Sequence, residues 1–230
     1  MSTQRAETEP YDPEARGLRL VPVLLLLTVV SGLIDAVSYL GLGHVFTANM
    51  TGNVVVLGFA AAGAPGFSIA HTLTSLASFL VGAVAGGRMA AWRAGGSRRT
   101  WTRLTLAAEA LLLGASSAVA FAAPDAPATR YALIALTAFA MGLRNATVRK
   151  LGIPDLTTTV LTMTLTGLAS DSRAGGGTGV HSPRRTASVV AMLVGAALGA
   201  WLVIHVNLGL PLLITAVLVA LLAVTASGRE

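Results

Sequence analysis

Apolar residues run through this chain in eight long blocks, not in the alternating or one-sided stripes of a water-soluble fold. The blocks cover about 18–40, 48–62, 68–91, 104–122, 131–148, 157–169, 186–206 and 209–226. A helix that crosses a bilayer needs about 20 residues. Six blocks approach or exceed that length. The second and sixth fall short, and they are also the most polar. One carries Asn49, Thr51 and Asn53; the other carries Thr157, Thr158, Thr159, Thr162, Thr164 and Thr166. The pattern predicts an all-α integral membrane protein.

Composition agrees. Hydrophobic residues make up 54% and charged residues 11%, against about 25% charged in an average soluble domain. So few charges cannot cover a soluble globule of this size. With no Cys, a disulfide scaffold is excluded. Sixteen Arg and Lys outnumber ten acids, and they lie between the apolar blocks, as in loops beside a membrane. That spacing points to a bilayer as partner and away from nucleic acid. Residues 1–17 mix Arg5 and Arg16 with Glu7, Glu9, Asp12 and Glu14. They lack the layout of a signal peptide and predict a disordered polar lead-in.

The remaining chain divides into two similar units, 18–122 and 123–230. Gly32-Leu33-Ile34-Asp35-Ala36 matches Gly142-Leu143-Arg144-Asn145-Ala146. Leu40-Gly41 matches Leu151-Gly152, and Thr47 and Thr51 match Thr158 and Thr162. Leu80-Val81-Gly82-Ala83 matches Leu193-Val194-Gly195-Ala196, and Gly86 matches Gly199. The matches keep their order, as a duplication would. Two topologies follow. Eight full crossings would make the units parallel and put Arg88 to Arg103 opposite Arg16 and Arg19. Six crossings, with the two short blocks as half-helices that enter and leave on one face, would make the units inverted. Every basic residue except Arg130 then falls inside, as the positive-inside rule favours. The six-span reading is preferred, with both termini cytoplasmic.

The segment from Gly32 to Gly43, followed by Ala48-Asn49-Met50-Thr51-Gly52-Asn53, resembles the YoaK-like family of uncharacterised bacterial membrane proteins. So do Arg144 to Gly152 and Thr158 to Ala169. The resemblance covers nearly all of 18–226. It implies an inner-membrane protein with no assigned substrate, cofactor or catalytic residue. Met163 departs from the pattern, standing where a small residue is expected.

Asp35 is the sharpest chemical signal. A carboxylate in a membrane helix is costly and marks a pathway, a proton relay or a paired interior site. Ser31, Asp35 and Ser38 share one helix face. The reading is either a solute or proton site between the units, or a buried cap bonded to N–H groups of the next segment. Asn49 or Thr47 is expected to cap the second block. Asn49 and Asn53 either face a solute or tie helices together. Thr158, Thr162 and Thr166 either line a path or bond back to their own helix. Glu109 is expected to reach toward the basic loop and pair with Arg103 or a neighbour. Gly82, Gly86, Gly195 and Gly199 form small-residue faces, for internal packing or for a homo-oligomer.

His44, His71 and His205 lack metal-ligand spacing, so no metal is expected. Neither a nucleophile elbow nor a phosphate-binding loop appears, and neither an enzyme nor a cofactor is expected. The functional expectation is a small-solute transporter or channel. Its site would be lined by Asp35, Asn49, Thr51, Asn53, Asn145, Thr158 and Thr162. The alternative is a membrane scaffold or accessory subunit that moves nothing.

Overall fold

A computed structural model of the chain describes residues 19–92, 97–124, 126–151, 161–180 and 182–226. The lead-in at 1–17, Asp155 and Thr157 to Thr159 lie outside the described residues. Within them the secondary structure is helical, with no strand. The helices are α1 (Leu20–Gly41), α2 (Met50–Ala61), α3 (Ile69–Trp92), α4 (Arg98–Ala122), α5 (Pro127–Leu151), α6 (Leu161–Ser170), α7 (Ser182–His205) and α8 (Gly209–Thr225). Five of them, α1, α3, α4, α5 and α7, are long and apolar enough to cross a membrane; α2 and α8 are shorter apolar helices.

Local chemistry sets several boundaries. Pro22, Pro127, Pro183 and Pro211 stand in first turns, where a missing N–H costs no intrahelical bond. Helix α4 begins at Arg98 and not near 104, because Ser97 accepts the Thr100 N–H at its start. Arg98, Arg99 and Arg103 therefore ride on a helix and not in a loop.

Buried hydroxyls are satisfied mostly within their own helices. Thr28 donates to Leu24 O, Thr105 to Trp101 O, Ser116 to Leu112 O and Thr137 to Leu133 O. Each is the i−4 bond that lets a hydroxyl sit in an apolar layer without a partner across the interface.

Contacts between helices fix their directions. Ser117, near the end of α4, donates to Gly209 O at the start of α8 (3.0 Å), while Arg103 near the start of α4 donates to Ala226 O just past α8 (2.8 Å). These helices run antiparallel. Arg98 at the start of α4 bonds Leu151 O at the end of α5 (2.7 Å), so that pair is antiparallel too. Gly195 abuts Val29, Gly199 abuts Leu33 and Ala36, and Gly41 abuts Leu208. The numbers rise together, so α1 and α7 run parallel. Gly82 abuts Phe139, and Gly86 abuts Leu143 and Ala146, so α3 and α5 run parallel.

Taken together, α1, α4 and α7 point one way and α3, α5 and α8 the other. Two apolar clusters mark the two ends. Leu20, Leu24, Leu106, Val148 and Ala223 belong to one, and Leu33, Val37, Ala120, Ile134 and Leu212 to the other. Helices α1 and α5 meet head to tail.

The glycine contacts recur at matching positions. Gly32 sits on the backbone of Met192 and Ala196; Gly142 sits on the backbone of Phe79 and Ala83. Each glycine face of one half is thus filled by the other half. Of the two readings of Gly82, Gly86, Gly195 and Gly199, these faces take internal packing and are not open to a second copy: all four are buried within one chain, because two helix backbones can approach this closely only where no Cβ intervenes. A Cβ on Gly82 or Gly195 would collide with the carbonyl of Phe139 or Val29, whereas nothing lies near Gly58 or Gly114. Gly82→Ala and Gly195→Ala are therefore expected to cost about 1–3 kcal/mol each. Gly58→Ala and Gly114→Ala should be neutral or stabilising by up to about 1 kcal/mol. Thermal unfolding of the four variants in detergent checks this ordering.

Candidate functional site

Among the described residues, three ionisable side chains lie inside the bundle. Asp35 projects from α1, Glu109 from α4 and Arg144 from α5, and all three are buried. The Arg144 Nε–H donates to Glu109 Oε2 at 2.9 Å, and Nη2 bonds Glu109 Oε1. Nη1 donates to Leu27 O and to Ser31 Oγ, both at 2.9 Å. One guanidinium thus ties α4, α5 and α1 together. The two-pronged geometry matches a planar carboxylate and leaves both charges well satisfied.

This corrects two expectations. Glu109 does not reach toward the basic loop and Arg103; it is fully buried and holds Arg144. Nor does Arg144 belong to the interior-facing basic loops. It lies seven residues before the end of α5, about 10 Å along the helix at 1.5 Å per residue, so its side chain enters the core. The sequence signal was present, since Arg144 stands in the repeat position of apolar Ile34 and Glu109 was the one acid in its block. Pairing them required knowing that α4 and α5 are antiparallel neighbours. Thr105 and Thr147 lie beside the pair, with Thr147 Oγ1 3.3 Å from Thr105 Oγ1. A cavity of about 10 Å³ between Leu24, Leu27, Thr105 and Arg144 has room for about one water at most.

Asp35 lies one helical turn beyond Ser31. Its Oδ1 accepts the N–H groups of Thr47 (3.2 Å) and Ala48 (2.8 Å), and the Asn49 N–H also points at the carboxylate. Arg144 is near enough to attract it. The carboxylate therefore fastens the 47–49 turn that leads into α2, in line with the reading of Asp35 as a buried acid bonded to N–H groups of the next segment. The expected cap by Asn49 or Thr47 is corrected, since Asn49 makes no side-chain cap bond. The Thr47 hydroxyl is buried without a hydrogen-bond partner.

Asn53 fastens the same segment. It accepts the Phe46 N–H (2.8 Å), and its amide donates to Phe46 O (2.6 Å) and Ser75 Oγ (3.0 Å). The loop leading into α2 turns back through Gly43 (φ +92°) and His44 (φ +59°). His44 Nδ1 lies 3.1 Å from Gly66 O, and its ring packs on Tyr39 and Phe67. Residues 44 and 66 are thus neighbours, so the chain leaves and rejoins the bundle at one place.

The structure brings Asp35, Asn49 and Asn53 together around the entry to α2. Thr51 and Thr162 are exposed on their helices, and Asn145 is half-buried on α5. Thr158 lies outside the described residues. Thr166 donates to Thr162 O (2.9 Å), so its hydroxyl bonds back along α6. Met163 is 66% exposed, clear of any close helix packing. Beyond the end of α1 lies a cavity of about 330 Å³ whose walls include Gly41, Leu42, His71, Thr129, Arg130 and Tyr131. The His71 and Tyr131 rings meet edge to face at 4.8 Å.

The ion pair sets a testable balance. Removing one partner of a buried pair leaves a charge unpaired, at a cost of about 3–5 kcal/mol, whereas replacing both by apolar groups of similar volume costs little. Arg144→Met and Glu109→Leu are each expected to unfold far below the native chain in a detergent melt. The double variant should recover most of the loss.

Comparison with known proteins fits this picture. Residues 23–225 match a family model described as "Protein of unknown function (DUF1275)". The chain is 37% identical over 153 residues to the UPF0700 transmembrane protein YoaK of Bacillus subtilis (strain 168). That match spans 65% of this chain and 65% of the relative, less than two thirds of either. No solved structure matches. With apolar helices of spanning length and a family match over most of its residues, the chain is an integral membrane protein that belongs to the DUF1275 family of YoaK-like transmembrane proteins.

Proposed function

We propose that this protein is a small-solute transporter of the bacterial inner membrane. It would be built from two inverted repeats, each of three spanning helices and one half-helix. The helix directions support that topology. Helix α1 ends, and α3 begins, on the same face, so 42–68 makes no net crossing. Helix α5 ends, and α7 begins, on the opposite face. Arg88, Arg98, Arg149 and Lys150 gather at one end, which the positive-inside rule assigns to the cytoplasm. Arg130 is at the other.

The observation that carries the transport reading is the entry to α2. A carboxylate, a helix N-terminus and an unpaired buried hydroxyl meet there within the bundle. Irregular backbone at membrane depth is tolerated where it lines a cavity or is buried in protein, and transporters place solutes against such half-helix ends. Asp35, Thr47 and Asn49 would hold the solute, with Thr51 and Asn53 along α2. Asn145, Thr158 and Thr162 would contribute the equivalent edge in the other repeat. The cavity beside His71 and Arg130 lies about 9 Å beyond Asp35, six residues along α1, and would be the outer entrance. The polar core around Arg144 would be the closed barrier. A proton carried by Asp35 would supply the coupling.

The second reading, a scaffold that moves nothing, draws on the same contacts: Asp35 fastens the 47–49 turn and Asn53 pins the loop before α2, so both have structural employment. The two readings part on access. Because the chain has no Cys, single cysteines report cleanly. His44→Cys and Ala64→Cys are expected to react with a membrane-impermeant thiol reagent from the outer side, and Arg149→Cys from the inner side. Reaction of the first two from opposite sides would overturn the six-span topology. Thr47→Cys should be labelled from the outer side in proteoliposomes, more slowly than His44→Cys, and Asp35→Asn should change that rate. A Thr47→Cys that stays unlabelled from both sides, with liposomes no leakier to small amino acids, sugars or organic acids than empty ones, would favour the scaffold.

A further inference from the structure

We propose that the cavity between the end of α1 and the start of α5 binds a small organic monoanion, a monocarboxylate with a short apolar body. The cavity holds about 330 Å³, near the lower end of the range of about 300–1,000 Å³ for small-molecule sites. Its lining is mixed: Arg130, His71 and Tyr131 are polar, and Leu42, Leu133 and Leu208 are apolar. Two contacts hold the polar groups together. A Cβ on Gly43 would lie 2.8 Å from His71 Nδ1 and 4.0 Å from Arg130 Cδ, so both side chains sit over that one turn. The Tyr131 ring meets the His71 ring edge to face at 4.8 Å. Arg130 is exposed, whereas Leu42 and Leu133 are each 1% exposed. Leu133 lies three residues past Arg130, on the same face of α5 and one turn deeper. The guanidinium therefore stands at the mouth and the leucines form the floor.

Charge decides the sign of the ligand. Among the described residues lining the cavity there is one cation and no acid. A guanidinium presents a planar fork that matches a carboxylate. Helix α5 begins at Pro127 beside it, so the positive end of the helix dipole adds to the same field. One guanidinium balances one negative charge, which favours a monocarboxylate over a dianion such as phosphate. The buried leucines decide the rest of the ligand. A bare inorganic ion would leave them unused, whereas a short alkyl body covers them. The place of Arg130 in the bundle points the same way. It stands nineteen residues before Arg149 on α5, about 28 Å away at 1.5 Å per residue, at the end remote from Arg98, Arg149 and Lys150. The positive-inside rule gives no reason for a cation there; an anion in the cavity does. The proposal deepens the transport reading, in which this cavity is the outer entrance, by naming the substrate class, and it rests on that reading only for what happens after binding.

The test uses the full chain in phosphatidylcholine nanodiscs, read by thermal unfolding and by saturation-transfer NMR of the added ligand. The probes are the straight-chain carboxylates from acetate to hexanoate, the matching amides, inorganic phosphate, and sodium chloride at equal ionic strength. The carboxylates are expected to raise the melting temperature by about 3 °C or more at saturation, with the shift growing along the series until the floor is covered. The amides, phosphate and chloride should leave it unchanged. Arg130→Gln should abolish the shift and the NMR signal. Arg130→Lys keeps the charge without the planar fork and should keep part of both. Arg88→Gln, an exposed charge on α3, should keep all of both. Three results would each overturn the proposal: an equal shift in Arg130→Gln, an equal shift from the amides or phosphate, or no shift and no signal from any carboxylate. Should Arg130→Gln fail to fold, the comparison of carboxylate with amide on the native chain still decides. Transport is judged apart. Carboxylate binding with proteoliposomes that stay tight leaves the site and counts against the transport reading; uptake of a sugar or an amino acid with no carboxylate binding does the reverse.

Discussion

Everything buried in this bundle must find its polar partners inside the protein, because the hydrocarbon around it offers none. The Arg144–Glu109 pair is where that constraint is most severe. Two groups that are each expensive in a membrane helix are placed so that every nitrogen of the guanidinium has an acceptor: two carboxylate oxygens, one hydroxyl and one backbone carbonyl. The result ties α4, α5 and α1 in one place. Apolar packing alone gives little preference among lipid-facing orientations, since lipid tails are as apolar as leucine. A directional pair at the centre selects one arrangement.

Around that centre, the bundle is held by backbone-to-backbone approach at glycine. Gly82 and Gly86 seat α3 on α5, and Gly195 and Gly199 seat α7 on α1. The two contacts are alike in register and in the residues they meet. Since each links one half of the chain to the other, neither half closes its glycine face alone. The long loops at 42–49 and 62–68 are then free to turn back on themselves. They are pinned by Asn53 to Phe46 and Ser75, and by Asp35 to the N–H groups of Thr47 and Ala48.

At the entry to α2, the transport proposal would have a structural and a functional role share Asp35. Asp35 satisfies N–H groups of the irregular 47–49 turn, which no helix would satisfy, and so makes the break before α2 tolerable. The same arrangement concentrates a carboxylate, a helix terminus and the unpaired Thr47 hydroxyl at one point. Local polarity of that kind is what the proposed solute site would require.

Much of this was legible in the chain. Block lengths gave the long helices to within a few residues, since a helix in lipid satisfies its own backbone and so follows hydropathy closely. The short, polar character of 48–62 flagged the break before α2, and the matching glycines flagged the faces of close approach. Partner identity was not legible. Asp35 was readable as a buried acid bonded to N–H groups of the next segment, but not with Thr47 and Ala48 as its donors, and Asn49 or Thr47 was assigned a cap that neither side chain makes. Glu109 and Arg144 were each visible, yet nothing local says that they meet. The sequence by itself determined which segments are helices, that they lie in a membrane and where small residues allow close approach, because those follow from local composition and hydrogen bonding along one chain. The tertiary structure alone decided which helices run together and which charges pair, because those depend on distances between residues far apart in sequence.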